Sequence, residues 1–526
     1  MTSSSPSVMR RITQSTGIVM ASVLLSRVLG FFRDWTVAHQ IGSNASTDAY
    51  YAAFTLPDFL NYLVAGGSLS LIFIPVFTKY LAEGAEDEAW HVFSTVLTFM
   101  GLVLVFLVAV AEVFAPSLVP LIAPGFKAAE KARAVFLTRL MLPAQICFYL
   151  GGVLAAVQYA KAQFIVPSLA PLIYNVSIIL GGLLLSSKLG ITGFCVGVLA
   201  GALLGNFGLQ IYGARRAGAR FTPNLDLGNP AFRLFLRLAI PIMLALSLVF
   251  TDDWIIRWFG SYLPAASITW LNYGKTLMRV PLGIVGQAVG VASFPFLAQL
   301  FSEHRFEELN RTLDSTLRGL ILLLVPISAL MMAESRPLVH LFFAHTKLNS
   351  FDLDSTATTL VFFSLGMFAW AAQGIVARGF YAARDTLTPA VTGTLLAALN
   401  LPVYWLLFRR FQHLGLALAS SIGIIAYTVV LFALLKRRLP GYELGSLAVF
   451  LGKIAALSTI TGLVTFRITQ WLGARIGWNS TKGALIDLVL ASAVGLALAL
   501  ALAWVLRVRE IRAFARRLSP ARGGVA

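Results

Sequence analysis

The residues best placed to do chemistry in this chain are charges set inside apolar runs. Ser26-Arg27-Val28-Leu29-Gly30-Phe31-Phe32-Arg33-Asp34 puts two arginines and an aspartate into a hydrophobic stretch from about residue 17 to residue 41. An arginine near the middle of a membrane helix costs roughly 2.5–3.5 kcal/mol on insertion scales. These charges therefore turn away from lipid. Arg27 and Asp34 are seven apart and share a helix face, with the small Gly30 between them. The stretch reads as the charged wall of a water-filled cavity, against the plainer alternative of a structural salt bridge.

A second charged stripe lies further along. Asn272, Lys275 and Arg279 are spaced i, i+3, i+7 on one helix face. Lys275 and Arg279 repel one another unless an anion sits between them. Arg27, Arg33, Lys275 and Arg279 against the nearby Asp34 make a positive pocket suited to a phosphate or pyrophosphate. Asp48 opens the second apolar segment and is expected either to gate or to cap its own helix. The same segment carries Asn61 and the small run Ala65-Gly66-Gly67-Ser68, which suits close helix approach or a bend. No catalytic constellation, metal-ligand cluster, phosphate-cradling Gly-rich loop or cofactor motif appears, so the chain reads as neither an enzyme nor a nucleotide-driven motor.

The elements that must position these residues are membrane helices. Of 526 residues, 58% are hydrophobic and only 12% charged, and mean hydropathy is +0.80. A soluble globule has roughly 25% charged residues. The net charge of +18 is scattered through short loops and carries no nucleic-acid signature. Cys147 and Cys195 both fall in apolar segments, which indicates neither a disulfide framework nor a metal site.

Spans of about 20 apolar residues recur about fourteen times: 17–41, 48–80, 90–122, 133–159, 164–187, 190–213, 231–258, 266–300, 313–343, 357–382, 387–408, 414–436, 446–470 and 484–506. Internal prolines such as Pro57, Pro143, Pro281, Pro295 and Pro326 predict kinks. With an even span number, Arg10 and Arg11 before the first span and the Arg-rich tail from Arg507 place both termini in the cytoplasm. The tail reads as a stop-transfer flank or a basic helix on anionic lipid.

An internal repeat is visible. Tyr159-Ala-Lys-Ala-Gln-Phe-Ile-Val-Pro167 echoes Tyr381-Ala-Ala-Arg-Asp-Thr-Leu-Thr-Pro389, and Asp34-Trp35 echoes Asp253-Trp254 at nearly the same offset. The expected fold is an all-α integral membrane protein with two pseudo-symmetric six-helix lobes plus two extra C-terminal helices. Its divisions are a cytoplasmic segment 1–16, an N-lobe 17–220, a C-lobe 221–440, a helix pair 441–506 and a basic tail 507–526.

On these residues the chain resembles the MurJ/MviN family of lipid II flippases, in the superfamily that includes MATE drug exporters. The stretches that carry the resemblance are Ser26 to Asp34, Thr47-Asp48-Ala-Tyr, Leu56-Pro57, Ala123-Pro-Gly-Phe126, Pro167-x-x-x-Pro171-x-x-x-Asn175, Pro281-Leu-Gly283 and Arg378-Gly-Phe-Tyr-Ala-Ala-Arg384-Asp385-Thr-Leu-Thr-Pro389. The resemblance implies movement of undecaprenyl-pyrophosphate-linked peptidoglycan precursor across the bacterial cytoplasmic (inner) membrane, by alternating access.

It also implies that the family's first-helix arginines fall on Arg27 and Arg33, its acid on Asp48, and its lipid-tail groove on spans 13 and 14. Expected partners are lipid II or a similar lipid-linked sugar, membrane lipids, a coupling cation or the membrane potential, and cell-wall synthesis enzymes. There are departures. Where the family has an Arg pair and then Glu-Gly, this chain has Asn61-Tyr62 and Gly66-Gly67. The family's eighth-span Asp-Arg falls on Lys275-Thr276, and a following acid on Arg279. The alternatives are a flippase for an O-antigen or capsule lipid, a cation-coupled drug antiporter, which should prefer acidic cavity residues, and a membrane scaffold, which leaves the buried charges unexplained.

Overall fold

A computed structural model describes residues 6–64, 72–247, 251–383, 385, 387–439, 441 and 444–506. The side chains of 6–16, 64, 240–247, 287–296, 298, 302 and 444 are also outside the description. Arg10, Arg11, the Ala65–Ser68 run, the Pro295 ring, Arg384 and the basic tail thus lie outside the described residues.

Every regular element described is a helix. The first half holds α1 (Pro6–Gln40), α2 (Ala45–Ala53), α3 (Thr55–Val64), α4 (Ile74–Ala82), α5 (Glu86–Ile122), α6 (Ala128–Met141), α7 (Ala144–Ala160), α8 (Ile165–Leu189), α9 (Thr192–Gly201), a π-helical stretch Ala202–Gly208, α10 (Leu209–Arg216), α11 (Pro230–Ser247) and α12 (Thr251–Gly260). Then come α13 (Ser267–Ser302), α14 (Phe306–Ala333), α15 (Ser335–Phe343), α16 (Ser350–Leu365), α17 (Met367–Ala382), α18 (Leu387–Leu399), α19 (Leu401–Lys436), α20 (Leu444–Ile476) and α21 (Thr481–Val505).

The described parts of the apolar segments are built of these helices, but many are broken. Pro143 separates α6 from α7, and α16 and α17 meet at a 40° bend. Gln412 stands at φ 52°, ψ −128°, so α19 is two helices joined at a kink, as the segments ending at 408 and starting at 414 require. Among the described residues, eight helical stretches are long and apolar enough to cross a membrane, and the bent pair makes nine. The charged first and eighth spans are α1 and α13, of 35 and 36 residues.

The chain forms two compact units, residues 1–272 with 346–348, and residues 273–345 with 349–526. In the first unit α1 packs on α8, and Gly30 brings its backbone near Asn175. Gly181 on α8 and Gly197 on α9 approach so closely that a Cβ on Gly181 would stand 2.7 Å from the Gly197 Cα. A core of Phe73, Phe77, Trp90, Phe93 and Tyr149 fills the space among α4, α5 and α7. The connection from α10 to α11 is tied to the start of α5, with Arg220 on Asp87 at 3.2 Å, Asn229 donating to Glu88 at 2.7 Å and His91 meeting Asp226 at 3.1 Å. In the second unit α14, α20 and α21 form a bundle, and α16, α17 and α19 another layer against α14.

Candidate functional site

The first unit carries the charged stretch of α1. The Arg33 side chain is about a quarter exposed, while Asp34 is buried. Arg33 donates from Nε and Nη2 to Asp34 Oδ1 at 3.2 and 3.1 Å, and Asn272 Nδ2 donates to Asp34 Oδ2 at 3.4 Å. Asp34 is thus occupied on both oxygens, and it fixes the guanidinium through its adjacent neighbour. Arg27, one face-turn back, is exposed.

The backbone beneath them is pinned to α8. Asn175 Nδ2 reaches the Ser26 hydroxyl at 3.3 Å and the Pro171 carbonyl at 2.9 Å, and Ser22 donates to the Ser168 carbonyl. In the sequence Asn175 stands only as the last residue of the Pro167-x-x-x-Pro171-x-x-x-Asn175 motif. Its role comes from spatial proximity to α1, which spacing does not show.

Aromatic hydroxyls surround the guanidinium. Tyr50, Tyr51 and Tyr174 all lie within its electrostatic reach, and the Tyr50 hydroxyl is buried without a hydrogen-bond partner. The acid Asp58 on α3 also acts on Arg33, as well as on Arg257, which donates to Thr55 Oγ1 at 2.7 Å. The surroundings of Arg33 are therefore closer to charge balance than Asp34 alone implies. Asn61, one turn after Asp58 on α3, is half-buried.

Asp48 does not cap its own helix. Asn44 does that, accepting from the backbone N–H groups of Ser46 and Thr47. Asp48 instead reaches the start of α13. Its Oδ2 accepts from Ala266 N at 2.7 Å, and its Oδ1 from Thr269 N at 2.8 Å and Thr269 Oγ1 at 2.6 Å. A carboxylate on the free N–H groups and positive dipole end of a helix is favourable twice over. Thr47 adds a 2.9 Å hydroxyl contact to Thr269. Ala266 is held at φ +82°, the left-handed region that costs a non-glycine residue energy. The contact thus joins α2 to α13 across more than two hundred residues of sequence.

In the second unit Lys275 is buried rather than snorkelling. Its ammonium lies 5.5 Å from the ring centroids of both Phe363 and Trp370. Arg279, one turn further along α13, is exposed. The run from Arg378 to Pro389 has a structural role at Asp385. Asp385 caps α18, accepting from Thr388 N at 2.9 Å and Thr388 Oγ1 at 2.6 Å, and it pairs with Arg438 at 2.7 Å. Burial pushes its carboxyl up, but these hydrogen bonds and the Arg438 charge outweigh burial and hold it below the usual range.

Long apolar helices, several of them bent, with an arginine–aspartate pair on α1, define a polytopic membrane protein. Solved structures agree in fold. An inward-facing MATE-family multidrug resistance transporter of the MOP superfamily superposes with a TM-score of 0.62 at 13% identity, covering 82% of this chain and 99% of that one. A structure described as lipid II flippase MurJ in an inward closed conformation superposes with a TM-score of 0.78 at 22% identity, covering 94% of this chain and 99% of that one.

Residues 37–481 match the family model described as lipid II flippase MurJ, and the chain belongs to that family. Among curated relatives, the probable lipid II flippase MurJ of Buchnera aphidicola from Acyrthosiphon pisum is 28% identical over 82% of this chain and 84% of its own length. That of Vibrio cholerae is 26% identical over 96% and 98%.

Proposed function

We propose that this protein flips lipid II, the undecaprenyl-pyrophosphate-linked peptidoglycan precursor, from the inner to the outer leaflet of the cytoplasmic membrane by alternating access. The observation that carries the reading is a family match spanning most of the chain. It is joined to a guanidinium held in place at membrane depth by Asp34 and Asn272.

Arg27 and Arg33 bind pyrophosphate oxygens, since guanidinium–phosphate contacts are charge-assisted and bidentate. Asn272 and Asn61 supply polar contacts to the sugar-phosphate headgroup. Lys275 and Arg279 meet its anionic groups. The prenyl tail stays in lipid along α20 and α21. Both termini face the cytoplasm, on the strength of the basic residues at each end. The membrane potential returns the cationic carrier, since one charge crossing is worth about 2.3 kcal/mol per 100 mV. Cell-wall synthesis enzymes use the product outside.

The test is lipid II exposure on the outer leaflet of cells depleted of their own flippase. The wild type restores exposure, and a stably expressed Arg33→Ala variant does not. Failure of a well-expressed wild type would overturn the substrate. Full rescue by the variant would overturn the site.

A further inference from the structure

The bundle of α14, α20 and α21 holds two carboxylates that the flipping scheme leaves unused. Glu334 follows the end of α14, and Asp487 lies nearly two turns into α21. Both are buried, at 4% and 1% exposure. Ser492 donates to Glu334 Oε2 at 2.7 Å, and the Trp478 indole donates to Asp487 Oδ2. Glu334 Oε1 has no hydrogen-bond partner among the described residues, and the second Asp487 oxygen has only the Thr469 hydroxyl close by. No ion pair reaches either carboxylate among the described residues. The two are near enough for Asp487 to act on Glu334 through space.

A second feature points at the same place. Ser458, Thr461, Thr465 and Thr469 form one stripe on α20. All are 2% exposed or less; the hydroxyls of Ser458, Thr461 and Thr465 are without a hydrogen-bond partner among the described residues, and that of Thr469 faces Asp487. The helices α20 and α21 run antiparallel, with Gly495 against Thr461 and Thr465, so Thr469 falls beside Asp487. A Cβ on Gly495 would stand 2.5 Å from the Thr465 hydroxyl and 2.7 Å from Leu330 of α14, one turn before Glu334. Two of these hydroxyls, Ser458 and Thr469, also line a cavity of about 750 Å³ among α14, α16, α17 and α20, with Ser364, Gln470 and Arg336.

A dry hydroxyl costs about 1–3 kcal/mol and a bare buried carboxylate more. The buried hydroxyls along α20 and the under-satisfied carboxylates of Glu334 and Asp487 beside them are accounted for together by a small positive ligand. The set offers oxygen only, which is the donor chemistry of hard cations.

We propose that Glu334 and Asp487, with the hydroxyls of Thr465 and Thr469, bind one small cation, a proton or a sodium ion, reached through the adjoining cavity. Of the other charged and titratable groups of the packing elements, Lys453 and Arg467 of α20 are exposed, and His340 is half-buried with its Nδ1 bare. Arg336 pairs with Asp354 at 3.2 Å. His345 meets Thr481 Oγ1 at 2.7 Å, and Arg475 stacks on Trp471. His340 has its ring 6.2 Å from that of Trp478, and Lys482 is exposed in the first turn of α21.

The test uses the full chain in lipid nanodiscs, read by infrared difference titration and by binding of radioactive sodium. If the ligand is a proton, sodium-free wild type shows a protonated-carboxyl band near neutral pH that the Glu334→Gln/Asp487→Asn double variant lacks, and added sodium leaves the band unchanged. If it is sodium, the wild type binds one ion per chain, the band falls as sodium is added, and the double variant binds none. Thr469→Val weakens either signal by about tenfold, the equivalent of about 1.4 kcal/mol. Superimposable titrations and equal sodium binding in wild type and double variant would overturn the proposal. Should the double variant fail to fold, an unchanged signal in both single variants and in Thr469→Val would do the same.

Discussion

Asp48 is the residue whose removal the structure constrains most closely. Its carboxylate receives three hydrogen bonds of 2.6–2.8 Å from the start of α13. Asp48→Asn keeps an acceptor for the two Thr269 donors but turns an N–H₂ toward the Ala266 N–H. The cost is one lost charge-assisted bond and an opposed donor, about 2 kcal/mol. Asp48→Ala removes a helix cap, worth about 1–2 kcal/mol, and also leaves a buried hydroxyl and N–H groups unsatisfied. The total is about 4 kcal/mol, near the upper end for a single substitution. At 1.4 kcal/mol per tenfold, the balance between conformations with and without the α2–α13 contact shifts roughly 30-fold for Asn and several hundred-fold for Ala.

The assay is disulfide trapping of Thr47→Cys with Thr269→Cys, whose hydroxyls lie 2.9 Å apart, in a background lacking Cys147 and Cys195. Trapping in membranes is efficient with Asp48 present, reduced in Asp48→Asn and nearly lost in Asp48→Ala. Lipid II exposure in complemented cells falls in the same order. Wild-type trapping in a stably expressed Asp48→Ala protein would show that the carboxylate does not hold the contact, and the reasoning would fail.

Replacing Arg33 by Ala removes a charge-assisted phosphate contact worth about 1.5–3 kcal/mol, so flipping falls about 10- to 100-fold while expression holds; Arg33→Lys recovers only part, because the fork is lost. Gly151→Ala would drive a Cβ to 1.5 Å from the Asn206 carbonyl oxygen, and the α7 packing loses about 3 kcal/mol or more, visible as a lower unfolding temperature in detergent. Lys275→Met keeps the volume but removes the cation over Phe363 and Trp370; stability changes by less than about 2 kcal/mol while flipping drops, a split that a purely structural lysine would not give.

Because Asp385 is held below the usual carboxylate range, the stability it contributes is fully present above the unfolded value of about 3.9 and is lost as pH falls through its folded value. The melting difference between wild type and Asp385→Asn therefore holds at neutral pH and closes in acid. A difference that persists unchanged into strong acid would refute that linkage.

The sequence by itself determined where the helices lie, because twenty apolar residues in a row have no other stable home than a membrane span. It also determined, through the motifs from Ser26 to Asp34 and from Arg378 to Pro389, the family. These are local properties, written in composition and short-range spacing. Partner choice was not local. The sequence left Asp48 between gating and a cap on its own helix, and only the tertiary structure placed it at the start of α13, because Asn44 already fills the near cap and the free N–H groups of Ala266 and Thr269 come within 3 Å through space. The fold likewise brought Asp58 and three tyrosines to Arg33, set Lys275 between two rings from α16 and α17, and aligned the buried hydroxyls of α20 with Glu334 and Asp487. Each juxtaposition joins residues remote in sequence. Which polar groups meet in a membrane bundle depends on helix rotation and register, which hydropathy does not encode.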